Sequence, residues 1–152
     1  MNRHFPVLLL GMLGLGPRPA TAQLQVSGIR NLAFGTVIAG IPTTVTPTDP
    51  SRSGQFEFIA PTNSTVRLDL TLPTALQGPS AATMPINFGS SDGLIVGTAP
   101  GSVPTRFNPK SNRTYKLTSA RNEVFLGGTV SPAINQPAGS YSATVTLTVT
   151  IQ

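Results

Sequence analysis

The chain contains no cysteine and no tryptophan, and its single histidine, His4, stands at the very start. Without thiols there is no disulfide to crosslink the fold and no thiolate to serve as nucleophile, redox centre or metal ligand. Beyond His4 there is no imidazole, which removes histidine-dependent triads and the usual zinc sites. Charge is scarce as well: charged residues make up 10% of the chain, against about 25% in an ordinary globular domain. The five acids, Asp49, Glu57, Asp69, Asp92 and Glu123, are dispersed along it, which disfavours a hard-cation site and the paired carboxylates of a glycosidase. Glu57 and Asp69 read as surface ion-pair partners of Arg67, while Asp49-Pro50 and Asp92-Gly93 read as turn formers. The bases Arg106, Lys110, Arg113, Lys116 and Arg121 are too widely spaced for the dense basic stripe of a nucleic-acid site. Gly127-Gly128 sits in a strand pattern with no helix after it, so it reads as a bulge or a close backbone approach rather than a phosphate loop. This inventory points to a protein that is not an enzyme and holds no cofactor, metal or nucleic acid.

What the chain has in quantity is glycine and proline, 15 of each. Such a composition opposes helices and favours many short strands joined by tight turns. Period-two alternation predicts strands over 24–29, 32–37, 43–48, 55–60, 65–72, 83–88, 113–118, 123–130 and 140–151. Residues 89–112 read as a long loop with a short strand at 94–96. Asn63-Ser64-Thr65 and Asn112-Arg113-Thr114 match the glycosylation sequon and are read as exposed turns. Strands at this spacing predict an all-β fold, an antiparallel β-sandwich. A hairpin of 55–60 with 65–72 would place Glu57 opposite Arg67, a favourable cross-strand pair.

The first residues read as a secretory signal peptide. Met1-Asn2-Arg3-His4 precede an apolar run over 7–16, and Ala20-Thr21-Ala22 follow. The run is shorter than the roughly 20 residues a membrane span needs, and cleavage is expected after Ala22. Residues 23–152 then form one domain, exported and without a transmembrane segment. Its formal charge drops from +5 to +3 as Arg3 and Arg18 leave.

The longest alternation closes the chain. Tyr141, Ala143, Val145, Leu147, Val149 and Ile151 share one face, and Ser142, Thr144, Thr146, Thr148 and Thr150 the other. Such a strand is either the wall of a closed sandwich or a ledge beside an open groove.

Several segments carry a resemblance: Leu32-Ala33-Phe34-Gly35, Gly54-Gln55-Phe56-Glu57-Phe58, the run 66–72 closed by Pro73, Leu126-Gly127-Gly128-Thr129, and Gln136-Pro137-Ala138-Gly139-Ser140-Tyr141 leading into the last strand. In this order they resemble a bacterial secreted family of unknown function related to spore coat protein U and to the pilins of archaic chaperone-usher pili. The resemblance implies an immunoglobulin-like sandwich, either complete or one strand short, located in the periplasm, on the cell surface or outside the cell. It also implies a structural role in a pilus or surface coat, with a periplasmic chaperone and homologous subunits as partners. Gly139, fourteenth from the end, matches a glycine often found there in pilins. Assembly would proceed by strand addition, with Tyr141, Val145, Leu147 and Val149 lining the acceptor groove and Leu24 and Val26 as donor plugs. Alternatively, residues 24–29 are the domain's own first strand, and the protein is a free-standing secreted binding or adhesion module that uses the 89–112 loop.

Overall fold

The computed structural model describes residues 24–152; the signal-peptide reading falls on residues outside that range. The described chain is all-β and antiparallel. Its strands are β1 (Gln25–Arg30), β2 (Thr43–Val45), β3 (Gly54–Ile59), β4 (Thr65–Thr71), β5 (Ala75–Gln77), β6 (Thr83–Asn87), β7 (Gly93–Gly97), β8 (Thr105–Phe107), β9 (Arg113–Lys116), β10 (Arg121–Leu126), β11 (Gly128–Val130) and β12 (Thr146–Ile151). They form a five-stranded sheet in the order β1-β3-β10-β7-β8, a four-stranded sheet β2-β11-β6-β5 and a three-stranded sheet β12-β4-β9. The one helical element among the described residues is a short 3-10 turn, Pro79–Ala81.

Two apolar clusters hold these sheets together. The first joins Phe58, Ile95, Phe107 and Val124 of the five-stranded sheet to Val66, Leu68, Leu147 and Val149 of the three-stranded one. The second gathers Met84, Ile86, Phe88, Leu126 and Val130, with Leu32, Phe34, Val37, Tyr141 and Val145 packed partly buried against it. With no disulfide available, burial of this apolar surface and the strand ladders carry the fold.

The expected hairpin of 55–60 with 65–72 does not form. Strand β3 pairs with β1 and β10, whereas β4 pairs with β12 and β9. The turn at 60–64 carries the chain from one sheet to another, with Ala60 N–H donating to Ala120 O and Asn63 N–H to Leu117 O. Phe58 and Val66 belong to the same apolar cluster, but from different sheets rather than side by side. Glu57 therefore pairs with Arg121 at 3.0 Å and Arg67 with Asp69 at 2.9 Å, so the Glu57–Arg67 register is corrected.

Three other expectations are revised. Residues 32–37 form no strand: Leu32, Phe34 and Val37 reach the second cluster from an irregular segment, which turns at Gly35 with φ 70°. The 123–130 run is two strands broken at Gly127, where an added Cβ would meet the Val45 carbonyl and the Pro47 ring. Only a glycine lets the backbones approach so closely. The 89–112 segment holds β7, an interior strand, and β8.

Candidate functional site

The closing alternation is a ladder only over β12, one residue to one residue from Thr146↔Thr71 to Ile151↔Val66. Ahead of it, Ser142 makes a lone bridge to Gln77. Between these pairings the partner chain passes through 72–74, where Pro73 has no N–H to donate, so 143–145 lose their ladder. Within β12 the faces are as the alternation requires: Leu147 and Val149 are buried, and Thr146, Thr148 and Thr150 are exposed.

A groove of about 1040 Å³ runs between the segment after β1 and the segment before β12. Its lining includes Leu76, Met84, Ile86 and Leu126, together with residues of 30–39 and 136–145. Tyr141 and Val145 line it, whereas Leu147 and Val149 belong to the first cluster. The Tyr141 hydroxyl donates to Pro137 O at 2.8 Å and accepts from Gln136 Nε2 at 2.7 Å. Gly139, at φ 150°, turns the backbone where an added Cβ would press on the Pro79 ring. Arg30 is the one charged residue in the lining. Its guanidinium is already engaged, donating to Ser53 O, Pro50 O and Ser53 Oγ at 2.7–2.9 Å.

Beyond the groove, β1 and β12 approach one another without forming a ladder. Val26 stands opposite buried Phe58 and Ile151 opposite buried Val66. Directly opposed residues project to the same face of a sheet, so both side chains point to the core side. Yet Val26 is 40% and Ile151 41% exposed. Both residues stand near the ends of edge strands, where neighbouring strands cover a side chain least. Leu24, at the start of the described chain, packs against the first cluster of its own domain.

The sheet edges differ in how they are defended. Native edges are blunted by shortness, proline, charge or bulges. Strand β1 carries a register shift between Gly28 and Arg30. Strands β2, β5 and β8 have three residues each, next to Pro42 and Pro47, Pro73 and Pro79, and Pro104 respectively. Strand β9 carries Arg113 and Lys116. Only β12 among these edges runs six residues with no charge, no proline and no register shift.

The acids take up structural places. Glu57 pairs with Arg121, Asp69 with Arg67, and the Asp49 carboxylate accepts from the Ser51 and Arg52 N–H groups. Among the described residues no three His, Cys, Asp or Glu side chains cluster as metal ligands would, and no helix is long and apolar enough to cross a membrane. The sequence reading missed Arg30's tie to Ser53 and the part that 30–39 play as a groove wall. The apolar spacing of Leu32, Phe34 and Val37 was the available signal, misread as a ladder. No protein-family model matches the chain, and no curated protein matches it.

Proposed function

We propose that this protein is a non-enzymatic, exported structural subunit that works by accepting a β-strand from a partner. In this reading the three sheets form an immunoglobulin-like sandwich that is one strand short. The observation that carries it is the undefended edge of β12 beside core-facing residues left open at Val26 and Ile151. An incoming strand would gain main-chain hydrogen bonds along β12 and set alternate apolar side chains into the groove lined by Tyr141 and Val145. Leu147 and Val149 would hold the ledge in place from inside the core. A single charged residue in the lining, itself engaged, suits an uncharged apolar donor. A periplasmic chaperone and neighbouring subunits of a pilus or surface coat are the partners this fits.

The donor assignment of Leu24 and Val26 requires β1 to leave β3, and with it five register pairs. A subunit that keeps β1 at home must take its donor from another segment of a partner. Two substitutions separate these cases when the full chain is expressed for export and assembly is followed by sedimentation and electron microscopy. Val145→Asp, in the half-buried groove wall, should abolish assembly and leave a folded monomer. Leu24→Asp should leave an assembly-blocked but folded subunit if Leu24 is a plug, and an unstable monomer if it is internal packing. A wild-type chain that folds reversibly, stays monomeric and binds no strand would instead favour a free-standing secreted binding module.

A further inference from the structure

We infer that, when no donor strand is present, two copies of this chain close each other's open edge by pairing β12 with β12, antiparallel about a two-fold axis at Thr148. The inference rests on the strand-accepting reading and names a second occupant for the same edge.

An antiparallel pair of identical strands must tolerate each residue facing its symmetry mate or a near neighbour in the same strand. On β9 such a pairing would set Arg113 and Lys116 against one another, and on β8 Arg106 against itself. Like charges directly opposite are destabilising. Strand β12, Thr146–Ile151, contains no charge at all, so no like-charge contact arises within it in any register.

Its alternation is also self-matching. With the axis at Thr148, Leu147 faces the second copy's Val149, Thr146 faces its Thr150, and Ile151 faces its Val145. Apolar meets apolar on the core side, and threonine meets threonine on the solvent side. Ile151, 41% exposed in the single chain, gains cover from a residue that lines the groove of the other copy. The two three-stranded sheets join into one six-stranded sheet in the order β9-β4-β12-β12-β4-β9. Both unpaired edges vanish in a closed, two-fold assembly, and an isologous contact of this kind stops at the dimer. The charges nearest this strand are Asp69 opposite Thr148 and Arg67 opposite Thr150, and they are paired with each other at 2.9 Å.

Sedimentation velocity on the full chain expressed for export tests this. The wild type should show a concentration-dependent monomer–dimer equilibrium. Thr148→Lys, on the exposed face, sets lysine beside lysine across the axis and should weaken dimerisation by up to about fivefold. Thr148→Glu, which also faces Asp69 of its own chain, should do likewise provided thermal melts show the variant folded, and mixing the two variants should restore a heterodimer at least as tight as the wild-type dimer. A wild type that stays monomeric to millimolar concentration, or a dimer that Thr148→Lys leaves unchanged, overturns the inference. If that monomer binds a peptide copy of residues 144–152, strand acceptance stands while self-pairing falls. If it binds neither that peptide nor a peptide copy of residues 23–31, both fall.

Discussion

The two tyrosines show how the same hydroxyl can serve opposite ends. Tyr115 Oη is buried with no hydrogen-bond partner, while its ring packs edge-on against Phe107 at 5.9 Å. A buried donor without a partner costs about 1–3 kcal/mol. Tyr115→Phe should therefore raise stability by about 1 kcal/mol in denaturant melts. Tyr141 has the reverse balance, with its hydroxyl held by Pro137 and Gln136. Tyr141→Phe should lower stability by about 1 kcal/mol and loosen the groove wall. Burial raises the Tyr115 pKa above its ordinary value, with the Arg113 charge opposing. Ionising Tyr115 is therefore disfavoured in the fold, so stability is unaffected by it below about pH 10 and falls as pH rises through the raised folded value. At the acid end, hydrogen bonds from the Ser51 and Arg52 N–H groups hold the Asp49 carboxyl well below the usual carboxylate range. Its contribution is present above the unfolded value of about 3.9 and fades as pH falls towards the lower folded value. Asp49→Asn should flatten that acid branch in thermal melts run between about pH 5 and pH 2.

At the scale of elements, alternation located most strands because each half-buried strand writes its two faces into the sequence. Phe56/Phe58, Val66/Leu68/Leu70 and Leu147/Val149 are of this kind. The strands it missed, β5 and β8, are three residues long, too short for a period to show. It overreached at 32–37, because apolar residues dipping into a core from an irregular segment mimic a strand. It also overreached at 143–145, because a ladder depends on the partner chain, and Pro73 interrupts that partner out of sight of the local pattern. Pairing was the least legible feature. Nothing in residues 60–64 states that the chain crosses between sheets there rather than folding back as a hairpin. Gly127 was legible as a close approach, though the contact with Val45 and Pro47 belongs to the fold. Gly127→Ala should destabilise by about 2 kcal/mol or more, since the clash is with backbone that cannot move aside. Urea titration of the purified variant checks it.

For the whole molecule, the absence of disulfides and the scarcity of charge place the burden on apolar packing, and the proposed function holds that this packing is completed by a partner's strand. Tyr141 and Val145 line the groove while Leu147 and Val149, on the same face of the closing run, are core; alternation gives the face but not which stretch of it borders the groove. The other wall, 30–39, was not legible either, since its role depends on how β1 enters the five-stranded sheet. The undefended edge became recognisable only when every sheet edge could be compared with it. Because the chain has no cysteine, Val26→Cys gives a single thiol at a core-facing position of β1 that is 40% exposed and lies on the strand nearest the proposed seam with β12. The most direct measurement is its rate of reaction with a maleimide in the dilute monomer and in the assembled form. Fast labelling of the monomer and strong protection on assembly are the expected result. A thiol already protected in the monomer, or labelled equally fast in both forms, would contradict the claim that a partner's strand fills that seam.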